Sequence, residues 1–248
     1  MNYLFTAIEM HPDKGFGITA ESYFRSAEHL RENKFEHYEI TQQAEMPQNF
    51  LYRHSIELYL KSLIIIFHKE LQINYPNESF ESDTPEILID GKLKKLYTIH
   101  YIDKLYEYWL NFLLLPNIEI LNEIASKGDW REVEEISILF PVISKYDQDS
   151  SYFRYPITKN SPLDNEKYTM QKFKSSSIDD FVKEVQEQKT INNKPTFTLL
   201  IVDGNNNITD GYKHIRNTLV EVRDALQKVA HYFYCIHTMT RITLCKGF

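Results

Sequence analysis

Apolar positions recur with a helical period along most of the chain. Tyr23, Ala27 and Leu30 repeat at i, i+4, i+7 behind Thr19, which reads as an N-cap with Glu21 in the first turn, and predict a helix to about Phe35. Pro47 suits the first turn of a second helix, and from Phe50 to Phe67 the residues Leu51, Ile56, Leu58, Leu60, Leu63, Ile64 and Phe67 spread over more than one face. Such a helix belongs in the centre of a fold. A third opens at Thr98 and carries Ile99, Ile102, Leu105, Tyr106, Trp109, Leu110 and Leu113 until Pro116 ends it. A short helix near Ile118 to Ala125 stops at Gly128. Asp129 with Glu132 then forms a capping-box pattern for a helix through Val133, Ile136, Phe140 and Ile143, bent at Pro141. The most regular pattern comes last. Ile215, Leu219, Val222, Leu226, Val229, Phe233 and Ile236 alternate spacings of four and three, the seam of one long helix.

Between these periodic segments the signals change. Asn77 to Asp90 is polar and reads as a long loop, with a small hairpin at Ile89-Asp90-Gly91-Lys92. Ile157 to Lys194 is rich in Lys, Asn, Ser and Asp, with one weak amphipathic piece at Ile178 to Val185, and reads as a mobile insertion at about 157–194. Thr196 to Val202 is strand-like, closed by the turn Asp203-Gly204-Asn205, and Tyr3 to Ile8 is its expected partner. The expectation is an all-α fold: one helical domain over residues 1–248 with a small β appendage.

Composition narrows what this domain can do. The 28 Lys and Arg against 35 Asp and Glu leave a net charge of −7, so no global basic field holds nucleic acid or an anionic membrane. Contact with RNA would need a local patch. The 17 Tyr and 15 Phe against 7 Gly argue against an all-β chain, which consumes glycine in turns. Cys235 and Cys245 form neither a Cys-x-x-Cys motif nor a disulfide framework, and Met1 to Met10 lacks a basic leader, so the expected setting is cytoplasmic. The apolar runs Leu63 to Phe67 and Phe112 to Leu115 are far short of the roughly 20 residues of a membrane span.

Few residues carry a chemical signature. Arg53, Glu57 and Lys61 are spaced by four and fall within a stripe of about 80° on the second helix. They form either a polar cleft holding Glu57 between two cations or ordinary ion pairs on a solvated edge. His54, one step round, reads as a boundary histidine. Projected on the last helix, Lys213, Arg216, Arg223, Gln227 and His231 make a basic stripe, which suits a phosphodiester or balances Glu221 and Asp224. No Gly-rich phosphate loop, His-Glu-x-x-His or Gly-x-Ser-x-Gly elbow occurs, and His11, His68 and His237 lack partners at metal-ligand spacing. No cofactor or metal is expected.

The string Phe50-Leu51-Tyr52-Arg53-His54-Ser55-Ile56-Glu57-Leu58-Tyr59-Leu60-Lys61-Ser62-Leu63 resembles the second helix of the HEPN-like helical families. Ser26-Ala27-Glu28-His29-Leu30 before it, Ile99-His100-Tyr101-Ile102-Asp103-Lys104-Leu105 after it and the loop Phe153-Arg154-Tyr155-Pro156 agree, so the resemblance covers Thr19 to Pro156. It implies an antiparallel helical bundle that dimerises, linked to toxin–antitoxin or other bacterial defence systems, acting as an interaction or regulatory module beside a protein partner. It also implies an alternative, a metal-independent ribonuclease that binds RNA through an Arg and a His with four to six residues between them. Here those intervals from Arg216 land on Glu221, Val222 and Arg223, while Arg31 and His37 keep the interval on the first helix. Arg216 and His231 are the candidate catalytic pair. On one helix they lie roughly 22 Å apart at 1.5 Å per residue, so they would have to come from two subunits of a homodimer. Arg53, Glu57, Lys61, His100 and Arg154 are the candidate binding residues, with Glu57 as the carboxylate expected to meet Arg154.

Overall fold

A computed structural model describes residues 5–33, 45–159, 161–172, 183, 197–205, 208–214 and 219–247. The fold is mostly helical with two small antiparallel sheets, so the all-α expectation is corrected by its strands. At its centre is α2 (Glu45–Glu70), whose residues from Ser55 to His68 are all buried, as its apolar residues on every face require. Around it pack α1 (Phe16–Glu32), α3 (Ile102–Tyr108), the π-helical turn Trp109–Leu114 and α7 (Val220–Thr243). In chain order α4 (Ile118–Ile124), α5 (Glu134–Tyr146) and the single turn α6 (Ser161–Asp164) lie between these and the last helix. Phe67 of α2, Trp109 of the π turn and Phe233 of α7 meet edge to face at 5.8–6.0 Å, joining three elements in one aromatic core.

The apolar seam of the last helix is covered within the chain. Leu219, Val222, Leu226, Val229, Phe233 and Ile236 are buried, with α2 and α5 against them. A second subunit is not needed to bury it. The helix begins at Val220, however, and Lys213 lies on a strand, so the basic stripe projected onto one helix does not exist as drawn. Arg216 of that stripe and Ile215 of the seam fall outside the described residues.

The first sheet is the hairpin β1 (Glu86–Ile89) and β2 (Lys92–Lys95), with Ile89 paired to Lys92. Asp90 and Gly91 both have positive φ, 50° and 74°, which this two-residue turn demands. The second sheet orders β3 (Met170–Lys172), β5 (Ile208–His214) and β4 (Phe197–Val202). The expected partner of β4 was Tyr3 to Ile8, but its neighbour is β5, reached through the turn Asp203 to Asn205. Ile8 instead opens a short 3-10 turn to Met10. Strand choice depends on which segments meet in space, which no local pattern encodes. β3, α6 and a 3-10 turn (Asn165–Lys167) occupy the start of the segment read as an insertion. The amphipathic piece at 178–185 lies outside the described residues apart from Lys183.

Helix boundaries differ where side chains recruit distant partners. α1 starts three residues before Thr19, because the Asp13 carboxylate accepts the N–H groups of Gly15 and Gly17 at 3.2 and 2.7 Å. The Asp129 to Glu132 capping box does not form: α5 starts at Glu134, and Asp129 pairs with Arg131 in a bidentate contact. The third helix is split. Leu96 to Thr98 is a 3-10 turn, an extended stretch follows, and the π turn precedes Pro116, whose missing N–H and bulky ring disfavour α-helical continuation.

Candidate functional site

The Arg53, Glu57 and Lys61 stripe faces inward. Glu57 accepts Arg53 Nη1 at 2.7 Å on one carboxylate oxygen and Lys61 Nζ at 2.8 Å on the other, and all three side chains are almost fully buried. This rules out the solvated-edge reading, since ions removed from water persist only when paired and hydrogen-bonded. Both cations reach past the carboxylate to backbone carbonyls of the segment leaving β2, Lys61 to Tyr97 at 3.1 Å and Arg53 to His100. The imidazole of His100 donates from Nδ1 to Glu57 at 3.0 Å and is half-exposed. Burial pushes the Glu57 carboxyl up, but the charges of Lys61 and Arg53 outweigh it and hold the group at about 2.

Arg53 also ties in the end of α5. Its Nε lies 3.5 Å from Asp147 Oδ2, while Asp147 Oδ1 accepts the Tyr152 N–H at 3.0 Å and so anchors the loop that carries Phe153 to Pro156. Burial raises the Asp147 pKa more than the Arg53 charge lowers it. The expected pairing of Glu57 with Arg154 is overturned. Arg154 is exposed, sits over the Phe50 ring at 5.6 Å and donates to Ser150 Oγ at 3.1 Å. Arg53, already inside the core, does the tying. His54 stands between Tyr23 and Phe50, its pKa lowered by burial, as a boundary residue does.

A second charge cluster, at the other half of α2, was not legible in the sequence. Asp13 Oδ1 meets Arg241 Nη2 at 2.6 Å, and Asp13 Oδ2 accepts Ser62 Oγ at 2.5 Å. His237 Nε2 is 3.9 Å from that same oxygen and 3.4 Å from Arg241 Nε. All four residues are buried. Burial pushes Asp13 up, yet the neighbouring His237 and the Arg241 charge hold it well below the usual carboxylate range. Burial lowers the His237 pKa against the pull of Asp13. A Cβ on Gly17 would come within 2.1 Å of His237 Nε2, so only glycine lets α1 pass this close. Ser62, His237 and Asp13 are the residue types of a hydrolase triad in the wrong order. The Ser62 hydroxyl is engaged by a carboxylate whose lowered pKa makes it a poor base, not by the imidazole, and burial keeps substrate away.

The candidate catalytic pair is not assembled. Arg216 lies outside the described residues, and His231 is exposed on α7, near the Phe24 ring at 6.3 Å and Cys235 Sγ at 3.9 Å. Arg223 is engaged by Glu45 and Asp224. Arg31 pairs with Glu28, and His37 lies outside the described residues. Among the described residues no group of three His, Cys, Asp or Glu side chains could hold a metal ion, and no helix is long and apolar enough to cross a membrane. Comparison with family models, curated proteins and solved structures returns no match.

Proposed function

We propose that this chain is a HEPN-like helical interaction or regulatory module, non-catalytic and cytoplasmic, working beside a protein partner in a bacterial defence or toxin–antitoxin setting. The observation that supports it is the saturation of Glu57. The residues that carry the family likeness fold into a buried clamp whose carboxylate oxygens are taken by Arg53, Lys61 and His100, which leaves no free carboxylate for a substrate. Such a clamp serves architecture: it fixes the segment Tyr97 to His100 and the end of α5 against α2.

The alternative, a metal-independent ribonuclease acting on RNA, now depends on His231, which is exposed and so available to a phosphodiester. Single-turnover cleavage of a mixed-sequence RNA by wild type and by His231→Ala separates the two. No cleavage by wild type, together with a stable complex with the product of a neighbouring gene, is the expected result. Cleavage that His231→Ala abolishes would overturn the module reading.

A further inference from the structure

The contact that anchors the end of α5 on α2 is a poor one, and polar groups beside it are unmatched. We propose that the turn 147–151 is an autoinhibitory cover over a carboxylate-binding site on α2. Asp147 stands on Arg53 in the place of an outside carboxylate, and is displaced when one binds between Arg53 and Asn49. This goes beyond the module reading and stands without it.

The Arg53 and Asp147 side chains are wholly buried, yet their approach, Nε to Oδ2 at 3.5 Å, is not a hydrogen bond, and neither atom has a hydrogen-bond partner. Arg53 Nη1 and Nη2 are taken by Glu57 and the His100 carbonyl, so Nε is the donor left over. Asn49 lies one helical turn before Arg53 on the same stripe of α2. It too is fully buried, and both its amide oxygen and its amide nitrogen lack a partner. Buried polar groups in native proteins are matched almost everywhere, so orphans on adjoining positions call for a reason. A ligand supplies one. One carboxylate oxygen accepts from Arg53 Nε and the other from the Asn49 amide, while displacement of the turn admits water to the Asn49 oxygen.

The turn is built to move between fixed ends. On one side Tyr146 closes α5 with its ring 5.7 Å from that of Tyr152, and on the other Tyr152 and Phe153 are buried in the core. Between them Gln148 and Asp149 are exposed, and the buried Ser150 holds a left-handed φ of 69°, which a residue other than glycine adopts at a cost. Burial disfavours the Asp147 carboxylate more than Arg53 favours it, which weakens the closed form further. Charge selects the ligand. Arg53 already faces Glu57, so a singly charged carboxylate restores the balance that Asp147 strikes, whereas a phosphate dianion adds a buried charge with no partner.

Amide exchange of the full chain, followed by NMR at about pH 7 in sodium acetate, chloride or phosphate of equal ionic strength, tests this. Asp147 Oδ1 holds the Tyr152 N–H in the closed form, and a ligand that binds only the displaced form raises the population of that form. The Tyr152 amide is therefore expected to exchange about threefold or more faster in about 0.2 M acetate than in chloride or phosphate, with the central α2 amides unchanged. Asp147→Asn keeps Oδ1 but removes the competing charge. It is expected to bind acetate about tenfold more tightly than wild type, read from the Arg53 Nε–H signal. Asn49→Leu is expected to abolish the acetate response of the Tyr152 amide. Circular dichroism verifies that both variants fold, and the wild-type measurement decides without them. A Tyr152 amide that exchanges no faster in acetate than in chloride overturns the proposal. An equal response to phosphate, a response that survives Asn49→Leu, or no gain in affinity in a folded Asp147→Asn overturns it as well.

Discussion

Two buried carboxylates sit on or against α2, each clamped by an arginine, and they differ in where their partners come from. Glu57 takes Arg53 and Lys61 from its own helix, one turn away on either side, and reaches solvent through His100. Asp13 takes Arg241 from the opposite end of the sequence on one oxygen and Ser62 of α2 on the other, and is sealed. The first cluster pins a neighbouring segment to one helix. The second closes the chain on itself, joining the start of α1 to the end of α7 through the helix between them. A local clamp can be tightened or lost with one helix. A clamp across the termini is a condition of the whole fold.

The largest effect is therefore expected at Arg241. Arg241→Met leaves the Asp13 carboxylate buried without its cation and is expected to cost about 3–5 kcal/mol in urea unfolding at neutral pH. A cost below about 1 kcal/mol would erase the distinction between the two clusters. Asp13 would then be satisfied by Ser62 and the amides of Gly15 and Gly17 alone.

Glu57 comes next, and pH sharpens it. Its folded pKa of about 2 lies below the 4.5 of the free side chain, so the unfolded chain binds the proton more readily. The stabilisation is present above about pH 4.5 and is lost as pH falls toward about 2. A difference of 4.5 − 2 = 2.5 pH units corresponds to about 3 kcal/mol. Glu57→Gln should thus be less stable than wild type by about that amount at pH 6, with the gap closing by about pH 2. Asp147 works in the opposite sense. Its raised folded pKa favours the protonated form in the fold, so its contribution improves as pH falls and offsets part of the loss. A gap between the two proteins that stays constant from pH 6 to pH 2 would show that Glu57 is not held ionised by Lys61 and Arg53.

The contrast also explains what the sequence could show. The pairing of Glu57 with Arg53 and Lys61 was visible because i, i+4 spacing on a helix is a local fact, but the spacing left open whether the stripe faces the core or solvent; the burial of α7 was implied by its four-three seam. The hairpin at Asp90-Gly91 was visible for the same reason. Asp13 and Arg241 are separated by 228 positions and share no spacing, so nothing short of the fold brings them together. Strand pairing failed likewise: β4 was recognisable as a strand, but its neighbour was not. At the Phe153 to Pro156 loop the pattern pointed to Arg154, the arginine inside the motif. The fold uses Arg53 and Asp147 instead, because a guanidinium already inside the core needs no second desolvation.

That substitution of one arginine for another yields the smallest and most discriminating effect. If Arg53 anchors the loop, Arg154 contributes only what an exposed guanidinium gains over the Phe50 ring plus one hydrogen bond to Ser150. Arg154→Ala is then expected to cost about 0.5–1 kcal/mol. Salt should change it little, since no carboxylate faces Arg154 in a described ion pair. If Arg154 instead reached a buried carboxylate, its removal would cost several times more and would shift the acid unfolding of wild type in the direction Glu57→Gln does. Measuring Arg154→Ala and Glu57→Gln in the same pH series decides between these: independent, additive losses place Arg154 outside the Glu57 network, and a shared pH dependence places it within.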